Sequence, residues 1–160
     1  MRAPTVAAAV LCLAIAPAAA QDAKKLVGSY RLAERVMSDG GTKLHPPEVL
    51  GSMTFTKTTR TVILKWSNPD GSPVSVAVIA HYTLEGGKYC ETEAYGMQSN
   101  LGAPGVAYDT PATTPQCSAF ISDATGVSFE IPGEHLRLQI TRDGIRLTTK
   151  RYTDHWEKVK

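Results

Sequence analysis

The feature that most constrains this chain is a long alternation of side-chain types near its middle. From Val74 to Leu84 every second residue is apolar. Side chains on a β-strand point alternately to the two faces of a sheet, so this period of two predicts a strand with one face against a core. From Leu26 onward, shorter runs of the same kind are separated by Gly, Pro, Asn and Asp, without a long run of helical period. The fold class is therefore expected to be all-β.

The turn signals predict how these strands are connected. Glu85-Gly86-Gly87-Lys88 is typical of a two-residue hairpin turn, which pairs Leu84 with Tyr89 and Tyr82 with Glu91. Short meander connections of this kind favour one up-and-down antiparallel β-barrel of about eight or nine strands, because closing a sheet removes its exposed edges.

Two longer segments are expected to lie outside the strands. Thr42 to Leu50 contains Pro46 and Pro47, which lack the N–H group that a sheet needs, so it is interpreted as a surface connection. Gly96 to Pro115 is rich in Gly, Pro, Ala and Thr and has no periodicity. Its length is typical of a functional or mobile loop.

The N-terminus has the pattern of a secretory signal peptide. Arg2 precedes an apolar run, and Ala18-Ala19-Ala20 supplies the small residues of a cleavage site. We expect residues 1–20 to be removed and residues 21–160 to form one periplasmic or secreted domain; a lipoprotein signal ending at Cys12 is the alternative. The run is too short to cross a bilayer and no later run is longer, so no membrane span is expected.

Charge and cysteine content narrow the classes of partner. The formal charge of +2 falls to +1 when Arg2 is removed, and the remaining basic residues are scattered among acids, which disfavours nucleic acid as a partner. Cys90 and Cys117 are the two cysteines after residue 20, and an exported chain normally pairs such thiols, so a disulfide is expected. Neither has a second Cys or paired His nearby, so no metal site is predicted. No phosphate loop, dinucleotide fingerprint or serine-hydrolase elbow occurs, and no cofactor is predicted.

Both ends of the predicted domain resemble the lipocalin-like family. The segment from Leu26 to Leu32, with Tyr30 in place of the family's tryptophan, resembles the opening Gly-x-Trp strand, and the segment from Asp154 to Val159 resembles the closing Trp-Glu-Arg-Val strand. The resemblance implies a calycin-type barrel with a cavity for a small, mostly apolar or aromatic ligand. It also implies that an arginine of a late strand, here Arg151, packs across Tyr30.

The hairpin register places two carboxylates on the face that should be inward. Glu91 and Glu93 share it with Tyr89 and Tyr95, opposite Tyr82. Burial would raise the pKa of these carboxyls and make them candidates for acid–base catalysis, with Tyr82 as a hydrogen-bond donor. A hairpin loop one residue longer would turn both glutamates to water. By the same parity, Glu34 is a third inward carboxylate.

Three functional hypotheses follow. The first is a carrier that holds a small hydrophobic or aromatic molecule, with the aromatic candidates lining the cavity: Tyr30, Phe55, Trp66, Tyr82, Tyr89 and Tyr95. The second is a cofactor-independent isomerase, cyclase or lyase that uses Glu91 or Glu93. The third is an interaction or inhibitor module of the cell envelope that acts through the Gly96 to Pro115 loop. A barrel filled by its own side chains would favour the third.

Overall fold

The structure is a computed structural model that describes residues 23–111 and 113–160. The predicted signal peptide therefore lies outside the described residues. After a helical turn at 23–26 the regular secondary structure of the described residues is β-strand, which accounts for 64% of them. The strands are β1 Gly28–Met37, β2 Lys43–Leu44, β3 Val49–Phe55, β4 Thr59–Ser67, β5 Pro73–Glu85, β6 Lys88–Ser99, β7 Val106–Asp109, β8 Gln116–Ser122, β9 Gly126–Ile131, β10 Leu136–Thr141, β11 Gly144–Thr148 and β12 Tyr152–Lys158.

Ten of these strands form a closed antiparallel barrel, and β2 and β7 lie outside it. The barrel runs β12-β11-β10-β9-β8-β6-β5-β4-β3-β1 and is closed by pairing between β1 and β12. The all-β barrel is thus confirmed, but the predicted count of eight or nine strands is wrong. The two added strands lie in the segments assigned to loops: β2 pairs with β1, and β7 pairs with the second half of β6.

The predicted register of the β5–β6 hairpin is confirmed. Leu84 pairs with Tyr89 and Tyr82 pairs with Glu91. Gly86 and Gly87 have φ angles of 57° and 70°, a left-handed conformation that glycine adopts at little cost and that a tight hairpin turn requires. This register brings Cys90 directly opposite Cys117 on β8, and the predicted disulfide between them is confirmed.

A bulge in β6 reverses the expected direction of Tyr95. Ala80 pairs with Glu93 and Ile79 pairs with Tyr95, so Ala94 is an extra residue without a partner across the strand. One extra residue changes the parity of everything beyond it. Tyr95 is therefore 41% exposed on the outside, and its predicted place among the cavity-lining residues is wrong.

A second bulge does the same for Glu34. Leu32 pairs with Trp156 and Glu34 with His155, which leaves Ala33 as the extra residue of β1. Beyond it, Arg35 takes the inward direction and is buried, whereas Glu34 is on the outer face, where Lys43 binds it at 2.9 Å. The predicted inward orientation of Glu34 is therefore wrong.

No helix in the described parts of the chain is long and apolar enough to cross a membrane.

Candidate functional site

Glu91 points inward, as predicted, but it is held in an ion pair. Its carboxylate accepts hydrogen bonds from Arg60 on β4, at 2.9 Å from Nε and 2.5 Å from Nη2, and from the hydroxyl of Tyr89. All three residues are buried. A bidentate contact of this kind is among the strongest hydrogen-bonded pairs in proteins, so we interpret Glu91 as the structural counter-ion of Arg60.

Further carboxylates surround this ion pair where β6 leaves β8 and pairs with β7. Glu134, in the turn between β9 and β10, lies 3.3 Å from Nη2 of Arg60. A Cβ atom added at Gly96 would collide with carboxylate oxygens of both Glu93 and Asp109, so these two carboxylates meet over the Gly96 backbone. Among the residues that the structure describes, Arg60 is the one buried cation beside these four acids, so their formal negative charge exceeds its positive charge.

These groups border an open cleft of about 170 Å³ that we call the carboxylate cleft. Its floor and walls come from β6, the segment before β8 and the β9–β10 turn. The residues that line it are Glu91, Glu93, Thr110, Gln116, Pro132, Gly133 and Glu134. Among the residues that the structure describes, no group of His, Cys, Asp and Glu side chains is arranged to hold a metal ion.

The acids of the cleft destabilise one another when ionised. Burial, followed by the charges of Asp109 and Glu134, raises the pKa of Glu93. Burial and the charge of Glu91 raise the pKa of Glu134, against the opposing effect of Arg60. Both carboxyls therefore hold protons more tightly in the folded protein than in the unfolded chain. This tighter proton binding stabilises the folded protein fully at a pH below the ordinary carboxyl pKa of about 4.3. The stabilisation is lost as the pH rises through the raised pKa values of the folded protein.

Replacing Glu93 with glutamine should therefore stabilise the protein in a pH-dependent way. We expect the melting temperature to rise by about 2 °C at pH 8 and to stay unchanged at pH 3.5, where the carboxyl is already protonated. Thermal unfolding followed by circular dichroism at both pH values measures this. Glu85→Gln, at an exposed position in the β5–β6 turn, is the matched control. Equal effects of Glu93→Gln at the two pH values would contradict the assignment.

The predicted aromatic lining residues fill much of the barrel interior themselves. Tyr82 stacks on Tyr89 at 5.3 Å between ring centroids, and Tyr89 stacks on Phe129 at 4.2 Å. Phe55 contacts both Tyr82 and Phe129 edge to face. Each of these four residues is at most 3% exposed. The rings pack as a hydrophobic core, which also contains Tyr30 and Leu32.

The hydroxyl of Tyr82 is already hydrogen-bonded within the protein. It donates a hydrogen bond of 2.5 Å to the carbonyl of Thr56, and burial raises its pKa to about 12. Its ring stacks against Tyr89, but its hydroxyl is directed at the β3–β4 turn. The structure therefore does not bring Tyr82 and Glu91 together as a donor and base on one substrate.

A second buried ion pair involves residues that the sequence analysis did not single out as a pair. Arg35 binds Asp154 of β12 through both arms, at 2.7 and 2.8 Å. The guanidinium also lies 3.8 Å from the ring centroid of Tyr152 and 5.3 Å from that of Trp66. Trp66, predicted to line a cavity, thus packs at the edge of the core over a cation.

The cation beside Tyr30 differs from the one that the lipocalin resemblance implies. The ammonium of Lys158 lies 5.8 Å from the Tyr30 ring centroid, whereas Arg151 is exposed in the turn between β11 and β12. The expected packing of Arg151 over Tyr30 is wrong because β11 ends at Thr148, so Arg151 lies in the turn that follows and not on a late strand.

Beside the carboxylate cleft, the outer surface of β4 to β7 is apolar. Ile63 pairs with Ala77, Ala77 with Met97 and Met97 with Tyr108, so four strands contribute to one row. Ile79 pairs with Tyr95 in the next row, and the Tyr95 and Tyr108 rings lie 6.3 Å apart. We call this surface the outer apolar face, made of Ile63, Ala77, Ile79, Tyr95, Met97 and Tyr108.

The outer apolar face is exposed and carries no charge. Ile63 is 54% exposed and Tyr108 is 68% exposed. The other outward positions within the same rows and the adjoining row are Thr61, Lys65, Ser75, Ser99 and Val106, so the one charge among them, Lys65, lies at the margin of the face on β4. Depletion of charge with enrichment of tyrosine and methionine is the composition of the centre of a protein–protein interface.

Comparisons of the chain with protein families, curated proteins and solved structures found no match.

Sequence reasoning identified Glu91, Glu93 and the segment from Gly96 to Pro115, but missed Arg60, Glu134 and Asp109. Arg60 sits on the inward face of β4, since the neighbouring inward residue Val62 is buried. An arginine at an inward strand position predicts a buried acidic partner, because a buried charge is normally paired with an opposite charge. The sequence did not indicate which acid it binds.

Proposed function

We propose that this protein is an exported interaction module that binds another polypeptide through the outer apolar face and the adjoining Gly96 to Pro115 segment. The observation that carries the proposal is the exposed apolar surface on β4 to β7, with its tyrosine pair and with Lys65 as the charge at its margin. A contiguous apolar patch of this size on a protein surface is often functional. The disulfide and the signal-like N-terminus support export to an oxidising compartment.

The Gly96 to Pro115 segment is well suited to recognition because it is anchored. The side chain of Asn100 donates to the Pro73 carbonyl at 2.7 Å and accepts from the Gly105 N–H at 2.9 Å. At the other end of the segment, Cys117 is tied to β6. An anchored segment loses less conformational entropy when it binds than a free loop does.

The carrier hypothesis has less support than the interaction module. A ligand inside the barrel would have to separate the stacked rings of Tyr82, Tyr89 and Phe129. The lipocalin-like assignment also stays a proposal: the closed antiparallel barrel supports it, whereas the lipocalin barrel has eight strands and this one has ten.

A second candidate function is acid–base catalysis in the carboxylate cleft. The raised pKa values of Glu93 and Glu134, both bordering open space, favour this candidate. In this version Glu93 replaces Glu91 as the proton-transferring group, and Arg60 stabilises negative charge. Catalysis in the cleft does not involve the outer apolar face, so the two candidate functions predict different effects of substitutions on that face.

Site-specific photo-crosslinking in the protein's own cells tests the interaction module. A benzoylphenylalanine placed at Tyr95 should give one discrete adduct, identified by mass spectrometry, and the same group at exposed Arg137 on β10 should not. Adding Ile63→Glu to the Tyr95 probe should abolish the adduct, because it places a carboxylate on the apolar surface that the partner must cover. Equal labelling from both positions, or no adduct from Tyr95, would contradict the proposal.

A further inference from the structure

Strand β7 has an open edge. Asn100 donates its backbone N–H to the Gly105 carbonyl at 2.8 Å, which makes this a hydrogen-bonded pair of the β6–β7 hairpin. Hydrogen-bonded and non-hydrogen-bonded pairs alternate in an antiparallel ladder. Ala107 and Asp109 therefore bond to β6, whereas the N–H and C=O groups of Val106 and Tyr108 point away from it. No described residue pairs with that side of β7.

The two faces of this edge have different chemistry. Val106 and Tyr108 project from the outer apolar face, and both are more than half exposed, at 58% and 68%. Ala107 and Asp109 project from the opposite face, where Asp109 meets Glu93 over Gly96. Arg60, the nearest buried cation, is already paired with Glu91 and Glu134. One face of the edge is thus apolar and the other is acidic.

The small size of the exposed face favours an extended segment over a second globular copy. Outward positions on a sheet are spaced by about 4.8 Å between strands and about 6.8 Å along them, so its six residues and five neighbours cover roughly 360 Å². A stable protein–protein interface buries about 800 Å² on each partner. An added strand gains backbone hydrogen bonds along the edge and so needs less area.

We infer that the partner segment of the proposed interaction module adds to β7 as an antiparallel strand, with apolar side chains on one face and basic side chains on the other. The apolar residues lie opposite Val106 and Tyr108, and a lysine or arginine lies opposite Asp109, within reach of Glu93. This inference rests on the proposed function and specifies its binding mode and the chemistry of its partner.

A pair of synthetic peptides tests this pattern. The probe is acetyl-TVKVKVT-amide, and its matched control, acetyl-TVEVEVT-amide, has the same alternation with opposite charge. Isothermal titration calorimetry should give a dissociation constant for the lysine peptide at least about tenfold below that of the glutamate peptide. The protein itself is net positive, so bulk electrostatics would favour the glutamate peptide. A preference for lysine therefore reports on the local acids.

Two substitutions locate the binding at the edge. Val106→Pro removes an N–H group from the open edge and leaves the donors to β6 in place. It should raise the dissociation constant of the lysine peptide by about tenfold. Val106→Thr keeps the N–H and the branched side chain, and should leave affinity within about twofold. Asp109→Asn should reduce the preference for lysine over glutamate severalfold.

The inference is overturned if neither peptide binds, if both bind equally, or if Val106→Pro binds like Val106→Thr. These failures are distinguishable from failure of the proposed function, because the Tyr95 crosslink and its loss in Ile63→Glu do not depend on the β7 edge. A crosslink that persists when neither peptide binds would support the interaction module and contradict strand addition to β7.

Discussion

Glu91→Gln should lower the free energy of unfolding by about 3–5 kcal/mol, which is the usual cost of leaving a buried charge without its partner. Arg60 is 3% exposed, and Glu91 supplies its closest contacts, so glutamine would leave the guanidinium with the longer contact to Glu134, at 3.3 Å, as its remaining ion pair. Chemical denaturation at pH 7 measures the change. Glu93→Gln is the matched control, since it removes a neighbouring carboxylate that has no ion pair with Arg60.

The double substitution Arg60→Met with Glu91→Met separates charge burial from packing. Removing both charges together should recover most of the stability lost in Glu91→Gln, because apolar residues can replace a buried ion pair at little cost. A Glu91→Gln protein as stable as the wild type would show that the ion pair does not stabilise the fold, and the interpretation of Glu91 as a structural counter-ion would be wrong.

Removing the disulfide should have the second large effect. Cys90 and Cys117 are separated by 27 positions, and closing a loop of that length stabilises a protein by about 3.5 kcal/mol in the chain-entropy description. The double substitution to serine should therefore lower the melting temperature markedly under oxidising conditions. Differential scanning calorimetry with and without a reductant measures the effect.

The reductant supplies the control for this second prediction. Under fully reducing conditions the wild type and the serine variant should melt at nearly the same temperature. A difference that persists without the disulfide would mean that serine disturbs packing at the β6–β8 junction. An unchanged melting temperature under oxidising conditions would instead show that the cross-link contributes little to stability.

The parts of the fold that were predictable from sequence are those governed by local chemistry. The paired glycines Gly86 and Gly87 specify a tight turn, and the turn specifies the register that buries Tyr89 and Glu91 and joins the cysteines. Errors begin at Ala33 and Ala94, where bulges reverse the parity of β1 and β6. Alanine does not signal a bulge, because its small side chain is compatible with a regular strand as well.

The contacts that define the site were less predictable because they join distant parts of the chain. Arg60 and Glu91 are 31 positions apart, and Arg35 and Asp154 are 119 apart. Their pairing depends on which strands become neighbours in the closed barrel, and local patterns do not determine that order. Strand β7 was missed because it has only four residues, between glycine- and proline-rich segments, and so few residues do not show an alternating pattern.

The structure shifts the balance among the three functional hypotheses. The carrier needs space inside the barrel, where Phe55, Tyr82, Tyr89 and Phe129 are in mutual contact. The interaction module needs an exposed surface, and the outer apolar face provides one. We therefore propose that the protein binds its partner on the outside of the barrel, beside the carboxylate cleft.

Native mass spectrometry of the protein purified gently from its own cells tests this placement most directly, with Ile63→Glu as the comparison. The account predicts a bound polypeptide on the wild type that is absent from Ile63→Glu, since the substitution charges the outer apolar face and leaves the interior unchanged. A small molecule retained equally by both proteins would contradict the account and place the ligand inside the barrel.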